Sequence, residues 1–369
     1  MKQVPIISGH EQKYKIDFVI GRMNAGGAQR VIANLANYLI DKRYDIRIIT
    51  FMDADAYELD ERIVRVRFHD NKIYRKVIIN CFFSLIKFYS KKKNRPDIIN
   101  AHIGDMGFPT IPIARLYKIN IIVSEHNNHV YQKRNFYRKL LWDHLYKRAN
   151  AITILTKYDL PFFSIRNKKV VVMENPCSFG VLMKNNEKRD QAIIAVGDLN
   201  RYAKGFDNLL KVASDVLPRF PNWVLKIIGE GDKGKKYLQN MAHEFEISDQ
   251  VEFLGFRSDV NKIMRSSEIF CLSSRFEGLP MVLLEALSQK MACISFDCIT
   301  GPSEIIENNF NGFLVEDQNI EEMTLKLTEL IENESLRRKF QNNAPHVLDK
   351  YSIENVGNKW MKLFEEIAN

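Results

Sequence analysis

Two patterns alternate along most of the chain. Short apolar, β-branched runs are followed by longer segments in which apolar side chains recur every three or four positions. In the first half, Ile16–Ile20, Ile46–Phe51, Asp97–Ala101, Ile119–Ser124, Ala151–Leu155 and Val170–Met173 read as buried strands; in the second, Ala192–Val196, Val224–Ile228, Val251–Leu254, Ile269–Ser273 and Ala292–Phe296 do. Helical periodicity intervenes, as over Ala28–Ile40, Phe206–Leu217, Ser258–Ser266 and Ile320–Asn333. Strand–helix alternation of this kind predicts an α/β fold of parallel sheets covered on both faces. Periodicity lapses between Glu174 and Gln191, where NPCSFGVLMKNNEKRD turns polar. With 369 residues, too many for one core, two doubly wound domains are expected, at 1–174 and 191–350. Ligands of such sheets bind beyond the carboxyl ends of the strands, so facing domains would make a cleft.

Composition narrows the class. A hydrophobic share of 46% with 27% charged residues is that of a soluble globular protein. Five cysteines without a CxxC pair point to reduced thiols. The start MKQVPIISGHEQKYK lacks the apolar core of a signal peptide. The longest apolar stretch, Val77–Tyr89, is broken by Asn80, Ser84 and Lys87 and falls short of the ~20 residues a spanning helix needs. A cytoplasmic protein without a membrane span is expected. Charge is uneven: of the net +9, residues 1–185 carry 32 Lys and Arg against 16 Asp and Glu, so the remainder is acidic. The basic half suits an anionic partner, with membrane surface, lipid diphosphate and nucleic acid as candidates. Lys72–Arg95 and Tyr131–Ala149 mix aromatic and aliphatic residues with clustered Lys and Arg, as an interfacial helix does; each also fits a helix that simply covers a sheet.

The most informative segment is Ser274–Leu287, SRFEGLPMVLLEAL. Pro280 suits the first position of a helix, so a helix starts at about Pro280 and leaves the N–H groups of Met281, Val282 and Leu283 free, an anion site suited to a diphosphate. Glu277 stands in the Gly278-Leu279-Pro280 loop before it and Glu285 within it. Carboxylates accept hydrogen bonds from vicinal hydroxyls. One glutamate on a hexose and the other on a ribose, flanking an amide-held diphosphate, is the chemistry this spacing allows. The alternative is an ordinary turn and a glutamate at the solvent edge of an amphipathic helix, although an unpaired carboxylate in so apolar a run is costly to bury.

Other candidates lie at strand ends. GRMNAGGAQRV places Gly26 and Gly27 where backbone approaches a phosphate or sugar, or where a tight turn is needed. It is no Walker loop, since Gly27 and Ala28 replace the required Lys and Ser/Thr. In GDLNRYAKGF, Lys204 precedes a helix, where its ammonium could neutralise a departing diphosphate; an ordinary surface lysine fits the residues equally well. His126 follows a strand in SEHNN, and His102 ends another in NAHIGD, where it would line the acceptor side; His102 and His129 fit structural roles equally well. Asp53-Ala54-Asp55 has the DxD form of a metal handle but lies far in sequence from the glutamates, and no His/Cys cluster has ligand spacing. No metal is expected.

Glu277 and Glu285, eight apart, resemble the paired-glutamate motif of retaining glycosyltransferases of the GT-B class, family 4. The similarity runs from NAGGAQRV through AKGFDNLL, VEFLGF and TGPSEII to the final helix. It is greatest to bacterial enzymes that add N-acetylhexosamine or galactose to polyprenyl-diphosphate-linked glycans or surface polysaccharides. The resemblance implies two Rossmann-like domains, the first binding the acceptor and the second the donor, with the final helix, 353–369, crossing back onto the first. It implies metal-free, front-face transfer from a nucleotide sugar, a UDP-sugar, to a lipid-linked or growing glycan, with no further cofactor. His126, Lys204 and Glu277 would serve catalysis, and Glu285 the ribose. Gly26, Gly27, Gly278, Leu279, Pro280 and Met281 would line the donor, and Phe256 and Arg257 the base. The chain departs from the family at Asp198, which stands where an arginine is expected; Arg201 is expected to replace that cation. The basic half would rest on an anionic membrane surface, placing the enzyme peripherally on the cytoplasmic face. Rival readings are an epimerase or phosphorylase on the same fold and a nucleic-acid binder. The latter lacks any aromatic RNP pattern or zinc finger, so no nucleic-acid partner is expected.

Overall fold

The computed structural model describes residues 14–24, 26–42, 44–52, 55–68, 77–132, 135–182 and 188–369. Asp53 and Ala54 lie outside these, as do Lys72, Arg75 and Lys76 of the first basic stretch and Lys133 and Arg134 of the second.

A seven-stranded parallel sheet holds β1 (Tyr14–Val19), β2 (Tyr44–Thr50), β3 (Val64–Arg67), β4 (Ile98–His102), β5 (Asn120–Ser124), β6 (Ala151–Ile154) and β7 (Val170–Val172), in the order 3-2-1-4-5-6-7. A second parallel sheet holds β8 (Asp190–Val196), β9 (Val224–Ile228), β10 (Val251–Gly255), β11 (Ser267–Leu272), β12 (Ala292–Phe296) and β13 (Gly312–Val315), in the order 10-9-8-11-12-13. This is the expected α/β architecture of two doubly wound sheets. In each, the order reverses beside the first strand, between β1 and β4 and between β8 and β11, where open sheets bind ligands.

Two strands escaped the sequence reading. β3, VRVR, is an edge strand whose arginines interrupt any apolar run, and β13, GFLV, is short and opens on glycine. Helices depart from expectation by a residue or two; that predicted over Ser258–Ser266 is Val260–Arg265.

The final helix, Ile353–Ala368, capped by the Ser352 side chain, returns to the first domain. It buries Val356, Trp360, Leu363 and Phe364 in one cluster with Ile16, Phe18, Ile32, Leu35 and Leu39 of β1 and the first helix, Gly27–Ile40. Gly357 permits the contact, because a Cβ there would stand 2.2 Å from the Tyr38 ring. Lys359 bonds Glu174 at 2.7 Å and Lys169 bonds Glu366 at 2.8 Å, tying the helix to the chain on either side of β7. Among the described residues no helix is long and apolar enough to cross a membrane.

Candidate active site

The second domain's share of the site rests on two loops stitched together. After β8, Gly197 leaves room for the Lys204 stem, since a Cβ there would lie 3.1 Å from it. Gly205 has φ 62, and a Cβ would stand 2.0 Å from the Ser273 carbonyl oxygen, so glycine lets this turn press on the end of β11. Ser273 donates to the Lys204 carbonyl and the Arg275 amide to that of Ala203. Lys204 Nζ thereby meets Glu277 Oε1 at 2.7 Å, and Ser274 donates to the same oxygen at 2.6 Å. Two residues far apart in sequence form one charged pair, as their assignment to one site requires.

The helix after this loop spans Met281–Ser288, with Pro280 as its N-cap rather than its first residue. The Leu283 amide bonds the Pro280 carbonyl at 3.0 Å, so it is not free as expected; Met281 and Val282 supply the forward amides. Glu285 is 3% exposed and does not face bulk water. Burial raises its pKa, an effect that Arg30 partly offsets. Arg30, on the first domain's first helix, donates to Glu285 Oε1 at 2.6 Å.

That helix starts from the predicted glycine loop. Gly27 faces the second domain, with its would-be Cβ 4.0 Å from the Met281 side chain. The Gly26 amide is already committed to the Tyr57 hydroxyl at 2.8 Å, so it is not the open donor that a ligand loop suggests. Beyond β4 and β5, His102 Nδ1 and His126 Nε2 stand 3.0 Å apart. Burial lowers the pKa of both: that of His102 well below the ordinary histidine value, with His126 beside it adding to the effect, and that of His126 to about 4. Both rings are neutral at pH 7. Next to them Glu125 is buried, hydrogen-bonded by Tyr146 and Gln132.

The domains meet closely here. A Cβ on Gly278 would stand 2.7 Å from the His126 carbonyl oxygen. Asn128 donates to the Thr300 hydroxyl at 3.2 Å, and that hydroxyl donates to the Glu277 carbonyl. Thr300 holds φ 68, a costly conformation for a β-branched residue. Tyr131 stacks on Phe276 with centroids 3.9 Å apart.

Other expected residues stand away from the charged pair. Arg201 is 70% exposed and lies 3.4 Å from Asp198, the residue whose missing cation it was expected to replace, and is not brought to Glu277. Phe256 is 63% exposed and Arg257 is bonded to Asp259 at 2.7 Å, both on the loop after β10. Asp55 pairs with Arg65 and Arg67, and His129 with Asp159 at 2.5 Å. Among the described residues no group of three His, Cys, Asp or Glu is placed to hold a metal ion. Sequence reasoning missed Arg30, Thr300 and the turn Gly229–Gly231 after β9. Gly229, at φ 150, lies so close to Gly197 that a Cβ would stand 1.8 Å from its carbonyl oxygen. The glycine pair closing a strand in IIGEG was the available signal.

Two parallel α/β domains facing each other at their switch points, with the last helix returned to the first, define the GT-B class of glycosyltransferase fold. Residues 25–175 match the profile described as Glycosyltransferase Family 4, and residues 183–347 that of Glycosyl transferases group 1. The chain belongs to this glycosyltransferase family. It is 26% identical over 364 residues, 96% of this chain and 99% of the relative, to the Campylobacter jejuni GalNAc-alpha-(1->4)-GalNAc-alpha-(1->3)-diNAcBac-PP-undecaprenol alpha-1,4-N-acetyl-D-galactosaminyltransferase. It is 23% identical over 353 residues, 89% and 90% of the two chains, to the Escherichia coli UDP-Gal:alpha-D-GlcNAc-diphosphoundecaprenol alpha-1,3-galactosyltransferase. Among solved structures, Anabaena HepE in complex with UDP and glucose superposes with a TM-score of 0.81 at 15% identity, covering 96% of this chain and all of that one. The protein is a glycosyltransferase of polysaccharide or lipid-linked glycan biosynthesis.

Proposed function

We propose that the enzyme is a retaining, metal-independent transferase that moves a hexose or N-acetylhexosamine from UDP to a lipid-linked or growing glycan at the cytoplasmic face of a membrane. The observation that carries the reading is the Lys204–Glu277 pair at 2.7 Å, just ahead of the Met281 and Val282 amides and across the cleft from His126. The donor diphosphate seats on those amides, and Lys204 neutralises the charge that grows on it as the glycosidic bond breaks. Glu277 accepts from the sugar hydroxyls and Glu285 from the ribose. The acceptor hydroxyl attacks from the side of the departing diphosphate, whose oxygen takes its proton, so the anomeric configuration is kept. UDP in the complex of HepE and in the substrate name of the E. coli relative supports the choice of nucleotide, and the undecaprenol in both relatives' names supports the acceptor.

The test is calorimetry against UDP-, GDP- and ADP-sugars with chelator present, followed by NMR of the product's anomeric centre. Binding and turnover of a UDP-sugar without divalent cation, with retention, is expected. Turnover that absolutely requires a divalent cation and is lost on changing Asp53 would overturn the metal-free scheme.

A further inference from the structure

Residues 125–132, which follow β5, meet the Glu277 loop of the facing domain at three successive positions. The Tyr131 ring lies on that of Phe276, with centroids 3.9 Å apart and planes 10° from parallel. Asn128 reaches the Glu277 carbonyl through the Thr300 hydroxyl. The His126 carbonyl oxygen and the Asn127 Cα would stand 2.7 and 3.5 Å from a Cβ on Gly278.

The segment that makes these contacts is braced on its own domain. Buried Glu125 accepts from Tyr146 and, at 3.1 Å, from Gln132, which also donates to the Asn127 carbonyl at 2.9 Å. The Val130 amide donates to Asn128 at 2.7 Å and the His129 amide to Asp159 at 3.1 Å. The His129 ring is stacked on Phe162 with centroids 4.0 Å apart. Tyr131 therefore presents its face from a fixed support. On the other side, Phe276 bridges to Ile299, and Arg275 before it is held by Asp207 at 2.7 Å.

The stack joins one ring from each domain, so it exists only while they are closed. An aromatic pair shifts an equilibrium by about two- to tenfold beyond the area it buries. Here that preference acts on the residue next to Glu277, and small errors in the alignment of reacting groups cost rate.

We infer that Tyr131 is a positioning residue for the transfer reaction: acting through Phe276, it fixes the place of Glu277 relative to the first domain when the cleft closes. The sugar held by Glu277 and the acceptor across the cleft are thereby brought into line. Those roles toward sugar and acceptor rest on the function proposed above; the stack does not. The contact is made by ring faces, so the Tyr131 hydroxyl is dispensable to it.

Kinetics of the full-length enzyme, with whichever nucleotide sugar the wild type turns over, test the inference. Tyr131 is 41% exposed, so its truncation opens no core cavity. Tyr131→Ala is expected to lower kcat about three- to tenfold with donor KM within about threefold, and Tyr131→Phe to keep the wild-type rate. Phe276→Ala should lose as much as Tyr131→Ala, and the double variant no more than either alone. Undiminished kcat in Tyr131→Ala, a loss confined to KM, or losses that multiply in the double variant overturn the inference. So does an equal loss in Tyr131→Phe, which would make the hydroxyl a direct substrate contact. Should Tyr131→Ala not fold, Tyr131→Leu, apolar but without a flat face, takes its place; should Phe276→Ala not fold, the comparison with Tyr131→Phe decides. A wild type that turns over a GDP- or ADP-sugar and no UDP-sugar overturns the donor proposed above and leaves these variants to judge Tyr131.

Discussion

Arg30 of the first domain donates to Glu285 of the second at 2.6 Å, so the carboxylate assigned to the donor ribose is already engaged by the facing domain. The carboxylate side chain is 4% exposed and the guanidinium 37%. Burial raises the Glu285 pKa, and Arg30 is the chief influence pulling it back. Removing the arginine lifts it further, and only the ionised form accepts from both ribose hydroxyls. Arg30→Ala should therefore lose UDP-sugar affinity on acidification at a higher pH than the wild type does, while Glu285→Ala binds weakly throughout. Calorimetry over a series of pH values checks both. Arg30→Ala should also lose about 1–3 kcal/mol of stability, less than a fully buried pair because the guanidinium is partly solvated.

Lys204 should separate chemistry from binding. Its ammonium sits on Glu277 before any donor arrives, so its contribution grows only when the diphosphate takes up charge. Lys204→Ala is expected to lower kcat by about 10²–10³ with a smaller rise in donor KM, and Lys204→Arg to recover part of the loss. A change confined to KM would show that the lysine only binds.

Gly278 is constrained by the other domain rather than by its own loop. An added Cβ would stand 2.7 Å from the His126 carbonyl oxygen and 3.3 Å from the Leu155 side chain. Gly278→Ala should hold the domains apart, lowering kcat more than about tenfold while thermal unfolding stays within a few degrees of wild type. Small-angle scattering with and without UDP-sugar would detect the impeded closure.

Strong local signals made most of this legible. The strand runs are short, apolar and bounded, so eleven of the thirteen strands among the described residues could be read within two residues, and the polar lapse before β8 marked where one sheet gives way to the next. The pairing of Lys204 with Glu277 was implied only by family likeness; no spacing rule joins residues brought together by the packing of two loops. Arg30 was in plain view inside GGAQRV, yet its partner lies 255 positions away, and an arginine on a helix reads as surface. Arg201 misled for the converse reason. Proximity in sequence to Asp198 suggested a substitute cation, and the short loop instead lets the two neutralise each other in water.

Membrane contact should localise to the first domain. Phe136 and Tyr137 are 75% and 56% exposed at the start of the short helix Phe136–Leu140, with Lys139 on the same helix also exposed. Ile79, Phe83 and Lys87, also exposed, follow at four-residue steps on the helix Val77–Ser90. Co-sedimentation should be stronger with anionic than with neutral vesicles. Replacing Phe136 and Tyr137 with serine should weaken it at least tenfold without changing UDP affinity. Equal binding to both vesicle types would remove the electrostatic part of the proposal.

The histidine pair also sets a dependence of stability on pH. Both rings have folded pKa values below the unfolded value near 6.5, and His126 is brought to about 4. Acid protonates the unfolded chain first, so the stability they contribute is whole above pH ~6.5 and is lost as pH falls towards ~4, by at most about 1.4 kcal/mol per pH unit per ring. Glu285 and Glu125, with raised folded values, act in the opposite sense over the same range because their burial becomes cheaper as they protonate. A single unfolding curve therefore mixes the two. The difference between wild type and His102→Phe isolates the ring: urea unfolding at pH 7, 6 and 5 should show the wild type losing ground to the variant at each step. A difference that stays flat would mean that His102 is protonated with equal ease in the folded and unfolded chains.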